Sequence, residues 1–123
     1  MATVALTKDT FEQTLEDNDI VLIDFWAAWC GPCRAFAPVF EKVSQKHPDV
    51  VFAKVDTEAE QELAGSFRIQ SIPTLMVVRD SIVLYSQPGA LPEEALEDIV
   101  RQIRELDMEQ VHRQITEQAA EAG

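Results

Sequence analysis

Two cysteines, Cys30 and Cys33, are the residues of this 123-residue chain whose type and spacing point most directly to chemistry. The sequence contains no other cysteine. Thiols three positions apart on a helix have Cβ atoms about 5 to 6 Å apart, so a small local adjustment allows a disulfide between them. Such a short loop constrains the unfolded chain little, which argues against a purely structural bridge. We therefore expect a pair that opens and closes as a redox couple.

The position of Cys30 indicates how its thiol could become reactive. The apolar run Ile20 to Trp26 predicts a strand, and Pro32 predicts the opening of a helix that continues to about Lys46. Cys30 then lies where the strand ends and the helix begins. Free amide groups and the positive end of the helix dipole lower a cysteine pKa from ~8.5 toward ~7 in motifs of this kind. The sequence thus predicts a nucleophilic thiolate at neutral pH.

A zinc site is the alternative reading of a Cys-x-x-Cys pair, because such a pair is a common half-site. Tetrahedral zinc requires two further ligands at suitable spacing. The only histidines, His47 and His112, are far apart in the sequence, and His47 precedes Pro48 at an expected helix end. We expect no metal.

Alternating strands and helices must position the cysteines. Besides 20–26, branched apolar runs predict strands at 50–55, 74–78 and 82–85. Amphipathic stretches predict helices at 7–15, capped by Thr7, at 58–66, and from near Pro92 onward. This order predicts an α/β sheet covered on both faces, with the strands at 20–26 and 50–55 as parallel neighbours joined by a right-handed crossover.

Length and charge limit the possible functions. The length suits one compact domain. The formal net charge of −12 argues against nucleic acid and anionic membranes as partners, because binding them needs a basic surface. No apolar run approaches the roughly 18 residues of a membrane span, and Met1 to Leu6 lack the layout of a signal peptide. We expect a cytoplasmic protein.

A longer motif surrounds the cysteines and resembles the thioredoxin family. It reads Trp26-Ala27-Ala28-Trp29-Cys30-Gly31-Pro32-Cys33 and is followed by Ile72-Pro73-Thr74. The resemblance covers roughly residues 3 to 106. It implies a thioredoxin fold, with a central mixed five-stranded sheet flanked by helices in a domain of residues 1–106. Gly31-Pro32 stands where oxidising relatives usually place a histidine before the second cysteine, and this implies a protein disulfide reductase.

The resemblance also implies the roles of the cysteines and the partners. Cys30 would be the attacking thiolate and Cys33 the resolving thiol that breaks the mixed disulfide with a target protein. An NADPH-dependent thioredoxin reductase would reduce the pair again. Because the chain carries no nucleotide motif, we expect it to bind no cofactor itself.

Asp24 and Lys54 are candidates for proton transfer. Asp24 is a lone acid within the apolar strand, where burial should raise its pKa, although an exposed strand face is the alternative. The resemblance implies that it helps to deprotonate Cys33. Lys54 matches a family lysine near that aspartate and would tune its pKa, unless it is an ordinary surface lysine.

The resemblance further implies a surface for docking extended target segments. Ile72-Pro73 matches a cis-proline, and only X-Pro bonds adopt cis at modest cost. The expected apolar patch comprises Trp29, Gly31, Pro32, Ile72, Pro73, Gly89 and Ala90. The neighbouring Trp26 fits either core packing or the site.

Two features depart from the family pattern. Asp80-Ser81 replaces the usual glycine-containing hairpin turn, so a type I′ turn is less favoured. Residues 107–123 form an extension in which Asp107 can cap a helix with Met108, Val111 and Ile115 on one face, before a frayed end at 117–123. That face would pack on the same domain or contact a second chain.

An interaction module with a redox-sensing cysteine pair, such as a co-chaperone, is the alternative function. A module would not need the whole set of cysteines, Asp24 and Pro73. The sequence therefore favours the enzyme.

Overall fold

The computed structural model of the protein describes residues 2–122, which contain five strands and five helices. The strands are β1 (Thr3–Ala5), β2 (Ile20–Trp26), β3 (Val51–Asp56), β4 (Thr74–Arg79) and β5 (Ile82–Pro88). The helices are α1 (Lys8–Asp17), α2 (Gly31–Lys46), α3 (Gln61–Ser66), α4 (Glu93–Glu105) and α5 (Met108–Ala122).

The strands form one mixed sheet in the order β1-β3-β2-β4-β5. β2 lies at its centre and pairs in parallel with β3 and antiparallel with β4. The predicted five-stranded sheet, the parallel β2–β3 pair and the hairpin of β4 and β5 are confirmed. The sequence pattern did not locate β1, because three residues are too few to show a period of two.

Each face of the sheet has its own apolar cluster. Leu22 and Phe52 face Phe36 and Phe40 of α2 and Leu96 of α4. The alternate residues of the same strands, together with residues of α1 and α3, form the second cluster. Because side chains alternate along a strand, residues two or four positions beyond Leu22 and Phe52 also lie on the α2 face.

The hairpin between β4 and β5 closes with Asp80 and Ser81, which have φ values of 53° and 63°. Both residues occupy the left-handed region that a type I′ turn requires, although neither is glycine. The turn therefore has the conformation that Asp-Ser was expected to disfavour, and the two strands pair nevertheless. Two contacts hold the turn: the Asp80 N–H donates to Asp19 O at 2.9 Å, and His112 Nε2 lies 3.4 Å from the Asp80 carboxylate.

The predicted C-terminal helix is present as α5. The Asp107 carboxylate accepts from the Gln110 N–H at 3.2 Å, as expected of a capping residue. Along the apolar face of α5, Met108 is buried, Val111 is half-buried and Ile115 is 42% exposed. Only the beginning of α5 therefore packs on the domain. The helix continues to Ala122, so the expected fraying from residue 117 is wrong for the residues that the structure describes.

Candidate active site at the start of helix α2

Cys30 and Cys33 form a disulfide at the N-terminus of α2, with their Cα atoms 5.2 Å apart. The predicted proximity of the two sulfurs is confirmed. Cys30 is 4% exposed and Cys33 is 2% exposed, and both pack against Ala27, Trp26 and Ile72. The disulfide is thus set into an apolar surface.

Cys30 is the N-cap residue of α2. Its Sγ accepts a hydrogen bond from the Cys33 N–H at 3.2 Å, so the sulfur occupies the place that a serine or aspartate oxygen takes in ordinary caps. When the pair is reduced, this amide and the positive end of the α2 dipole will favour a thiolate on Cys30. The hydrogen-bond donor at this helix N-terminus is therefore the backbone N–H of Cys33.

The segment before β4 approaches Cys30 from the other side. The Ile72–Pro73 peptide bond is cis, as the resemblance implied. Ile72 O lies 3.7 Å from Cys30 Sγ, and the Gly89 N–H donates to Pro73 O at 2.8 Å. The structure thus brings together Cys30, Ile72, Pro73 and Gly89, which are far apart in the sequence.

Exposed residues surround this group. Trp29 is 66% exposed, and Gly31, Pro32, Gly89 and Ala90 are also exposed. Ile72 is half-buried and Pro73 is buried. Beside Pro73 opens a groove of about 230 Å³. Its lining is largely polar and includes Arg68, Gln70, Ser71 and Ser86.

Asp24 is fully buried, and its two carboxylate oxygens have no hydrogen-bond partner among the described residues. It lies two residues beyond Leu22 and therefore on the α2 face of β2. Burial raises the pKa of Asp24 from 3.8 to about 7, and the charge of Lys54 opposes this rise. The prediction of a buried carboxyl is confirmed, and the alternative of an exposed acid is wrong.

Lys54 is half-buried on β3, directly opposite Asp24 in the parallel register. Its Nζ lies over the ring of Trp26, 4.9 Å from the ring centroid. Trp26 itself contacts the disulfide cluster. Asp24, Trp26 and Lys54 therefore share the α2 face of the sheet.

Sequence reasoning missed Glu58, which supports Trp29. The Trp29 indole N–H donates to Glu58 Oε1 at 2.5 Å. Glu58 lies in an acidic stretch after β3 and has no feature that distinguishes it from its neighbours. Only the fold brings these two residues together.

The part of the chain that the structure describes shows neither a metal-binding cluster nor a membrane-spanning helix. It contains no cluster of three or more His, Cys, Asp or Glu side chains arranged to hold a metal ion. None of its helices combines the length and apolarity needed to cross a membrane.

A disulfide at the N-terminus of a helix, flanked by a cis-proline and accompanied by a buried carboxyl on the sheet face that this helix covers, defines a thiol–disulfide oxidoreductase. Comparison with known proteins then identifies the family. The sequence model of the Thioredoxin family matches residues 2–102.

Individual relatives agree with this match. The chain is 58% identical over 122 residues to a Streptomyces coelicolor protein named "Putative thioredoxin 2", covering 99% of this chain and 91% of the relative. It is 42% identical over 101 residues to the thioredoxin of Bacillus subtilis, covering 81% of this chain and 96% of the relative. A solved structure of a mutant thioredoxin from Halobacterium salinarum matches with a TM-score of 0.78 and 33% identity, covering 85% of this chain and 91% of that one.

The chain belongs to the thioredoxin family. It is a protein disulfide oxidoreductase, and its redox-active group is the Cys30–Cys33 pair.

Proposed function

We propose that Cys30 attacks the disulfide of a target protein and that Cys33 resolves the product. The Cys30 thiolate forms a bond to one target sulfur and releases the other as a thiolate. The Cys33 thiolate then attacks Cys30 Sγ, which closes the Cys30–Cys33 disulfide and releases the second target thiol. Two electrons pass to the target in each cycle. The observation that carries this assignment is the hydrogen bond from the Cys33 N–H to Cys30 Sγ at the helix N-terminus.

Asp24 is the proposed acceptor for the proton of Cys33. A general base works best when its pKa is close to the working pH, and the pKa of Asp24 is about 7. Its carboxylate oxygens have no other partner among the described residues, and it lies on the face of the sheet that α2 covers. Lys54, opposite Asp24, tunes this acid through its charge.

The proposed docking surface comprises Trp29, Gly31, Pro32, Ile72, Pro73, Gly89 and Ala90. Exposed apolar groups around a buried disulfide would receive an extended target segment, and backbone atoms near Pro73 would pair with it. The polar groove beside Pro73 provides further room for side chains of the target.

The proposed partners are disulfide-containing proteins and an NADPH-dependent thioredoxin reductase, which returns the pair to the dithiol. The proposed setting is the cytoplasm, where glutathione and related systems keep thiols reduced. The chain itself is proposed to use no cofactor.

The roles of the two cysteines predict different behaviour of two serine variants. Cys33→Ser should accumulate mixed disulfides with target proteins, because Cys30 still attacks and no thiol remains to release the target. Cys30→Ser should capture none. Non-reducing gels of each variant after incubation with cell extract measure this. Equal capture by both variants would show that the roles are wrongly assigned.

A coupled assay with NADPH, a thioredoxin reductase and a disulfide-bonded protein tests the whole cycle. The intact chain should turn over, and both serine variants should not. Lack of turnover by folded protein whose disulfide is readily reduced would instead favour an interaction module that uses the pair as a sensor.

A further inference from the structure

Lys54 carries its charge into the active-site face of the sheet without a carboxylate to fix it. Among residues 2–122, no carboxylate oxygen lies within ion-pair distance of Lys54 Nζ. The group that it meets is the Trp26 ring, at 4.9 Å from the centroid. A cation over an indole face is attracted by the ring quadrupole, and tryptophan is the strongest partner for this contact.

We propose that Trp26 is a positioning residue for the reaction: its indole face holds the Lys54 ammonium group near Asp24. Trp26 thereby sets the electrostatic environment in which Asp24 accepts a proton. This inference rests on the proposed function of Asp24. It gives Trp26 a role beyond core packing.

A lysine needs such a contact to hold its charge in one place. Its ammonium group is strongly hydrated and sits on a flexible four-carbon stem, so a half-buried lysine tends to extend toward water. The contact with Trp26 keeps the ammonium at the sheet, on the face that carries Asp24.

Trp26 is itself well fixed. Its carbonyl oxygen accepts from the Thr57 N–H at 2.9 Å and from Thr57 Oγ1 at 3.0 Å. Its side chain packs against the cluster of Ala27, Cys30 and Cys33. A fixed ring can hold a mobile cation, whereas two mobile groups would gain little from each other.

Among the groups around Asp24, Lys54 is the cation whose charge acts on the Asp24 carboxyl. On the β4 side, Asp24 pairs with the apolar Leu75. Cys33 of α2 and the N-cap residue Cys30 are joined as a disulfide and carry no charge in this state. Asp56, opposite Trp26 in the register, accepts from the Glu58 and Ala59 N–H groups at the loop after β3.

The direction of the effect follows from these surroundings. Burial raises the pKa of Asp24, and the charge of Lys54 lowers it. If the ammonium group moves away into water, the pKa of Asp24 must rise further. Increased water access through a gap left by a smaller side chain would lower the pKa instead, so the sign separates the two effects.

The test is a carboxyl NMR titration of Asp24 in the oxidised full chain and in four variants. These are Trp26→Leu, Trp26→Phe, Lys54→Met and the double variant Trp26→Leu/Lys54→Met. Trp26→Leu should raise the pKa of Asp24 by about half a pH unit, because the ammonium moves several ångströms farther away. Trp26→Phe retains a weaker aromatic face, so it should fold if the leucine variant does not and should give a smaller rise.

The double variant decides whether Trp26 acts through Lys54. Lys54→Met alone should raise the pKa of Asp24 at least as much as Trp26→Leu does. Adding Trp26→Leu to Lys54→Met should produce no further rise. An unchanged or lowered pKa in Trp26→Leu and Trp26→Phe, or an equal rise on the Lys54→Met background, would overturn the inference.

Kinetics separate this inference from the proposed function. If the Asp24 pKa moves as expected, the pH profile of disulfide reduction should move upward by the same amount. A shifted pKa with an unshifted profile would retain the role of Trp26 and contradict the role of Asp24 as proton acceptor. An unshifted pKa, with slow reduction by Asp24→Asn, would contradict the inference about Trp26 and retain the proposed function.

Discussion

Asp24 is a carboxyl group without a polar partner among the described residues, at the centre of the sheet. Because its pKa is 3.8 ordinarily and about 7 in the folded protein, the folded state binds its proton more tightly than the unfolded state. Stability therefore falls as pH rises from about 4 through about 7. Above that range the buried charge opposes folding, by an amount of the order of 4 kcal/mol for a shift of this size.

Asp24→Asn should accordingly stabilise the oxidised protein at pH 8 while slowing disulfide reduction. The gain should be at most about 4 kcal/mol, because the amide is uncharged but also lacks partners. It should shrink toward pH 4, where Asp24 is protonated when folded. Urea denaturation at the two pH values, with reduction kinetics on the same samples, measures both effects. A variant less stable at pH 8 and equally active would contradict the role given to Asp24.

Asp49→Asn is the matched control, because the pKa of the Asp49 carboxyl is lowered in the folded protein whereas that of Asp24 is raised. The hydrogen bond from Arg104 lowers the pKa of the exposed Asp49 from 3.8 to about 2. The contribution of the Asp49 carboxylate to stability is present above pH 3.8 and is lost as the pH falls through about 2. Asp49→Asn should thus give no gain at pH 8 and should leave disulfide reduction unchanged.

Single residues differ in how far the sequence could predict their environment. The burial of Asp24 was predictable because the residues before and after it along the strand are all apolar. The contact of Lys54 with Trp26 was not, since it depends on the register of β3 against β2 and on the path of a flexible side chain. The Trp29–Glu58 pair depends on two loops meeting.

At the scale of elements, α5 is attached to the domain at its beginning and not along its length. Met108 is buried, and Arg79 Nη1 of β4 donates to Ile103 O at 2.6 Å and to Leu106 O at 3.2 Å. Arg79 thereby fixes the chain between α4 and α5. We propose that residues 107–123 are an extension of a domain that comprises residues 1–106.

Deletion of residues 107–123 should lower the melting temperature while disulfide reduction largely survives. The loss should be about 5 to 10 °C, the value expected from losing the buried contact of one large apolar side chain. Met108→Ala should reproduce part of this loss, whereas Ile115→Ala, at an exposed position, should not. Thermal melts and the coupled assay measure these effects. A dimer that the deletion converts to a monomer in sedimentation would show that α5 instead serves an interface between copies.

Element types followed from the sequence better than element ends. β2 and α2 were predictable because a long apolar run and an N-terminal proline each have one favoured structure. The Asp80–Ser81 turn was not, because contacts with Asp19 and His112 support a backbone conformation that its own residues disfavour. Local propensity was overridden there by tertiary contacts.

For the whole molecule, charge is the dominant long-range property. The chain has 22 acidic and 10 basic residues. One of the acidic side chains, the carboxylate of Glu58, lies beside the exposed Trp29. A negative field of this kind attracts basic partners and repels acidic ones before contact. Salt screens it, since the Debye length falls from about 10 Å at 0.1 M to about 3 Å at 1 M.

The rate of disulfide reduction should therefore depend on salt in a way that follows the charge of the target. For a disulfide peptide flanked by lysines, the rate of reduction should be lower at high salt than at low salt by a factor of about three or more, because screening removes the attraction. The same peptide flanked by glutamates should be reduced faster at high salt. Stopped-flow kinetics with the two peptides, and a neutral peptide as control, measure the dependence. Identical salt profiles for both would show that the field does not select targets.

At the N-cap position of α2, the Cys30 Sγ atom both caps the helix and carries the reactivity of the site. Serine and aspartate cap helices well, and stabilising a protein by improving such a position is ordinarily straightforward. In this protein the N-cap residue cannot be replaced by serine or aspartate without loss of activity, because the capping atom is Cys30 Sγ and replacing it removes the nucleophile. Selection for electron transfer therefore keeps the first turn of α2 from its best possible cap. A more heat-resistant form of this protein would have to evolve through changes elsewhere in the fold.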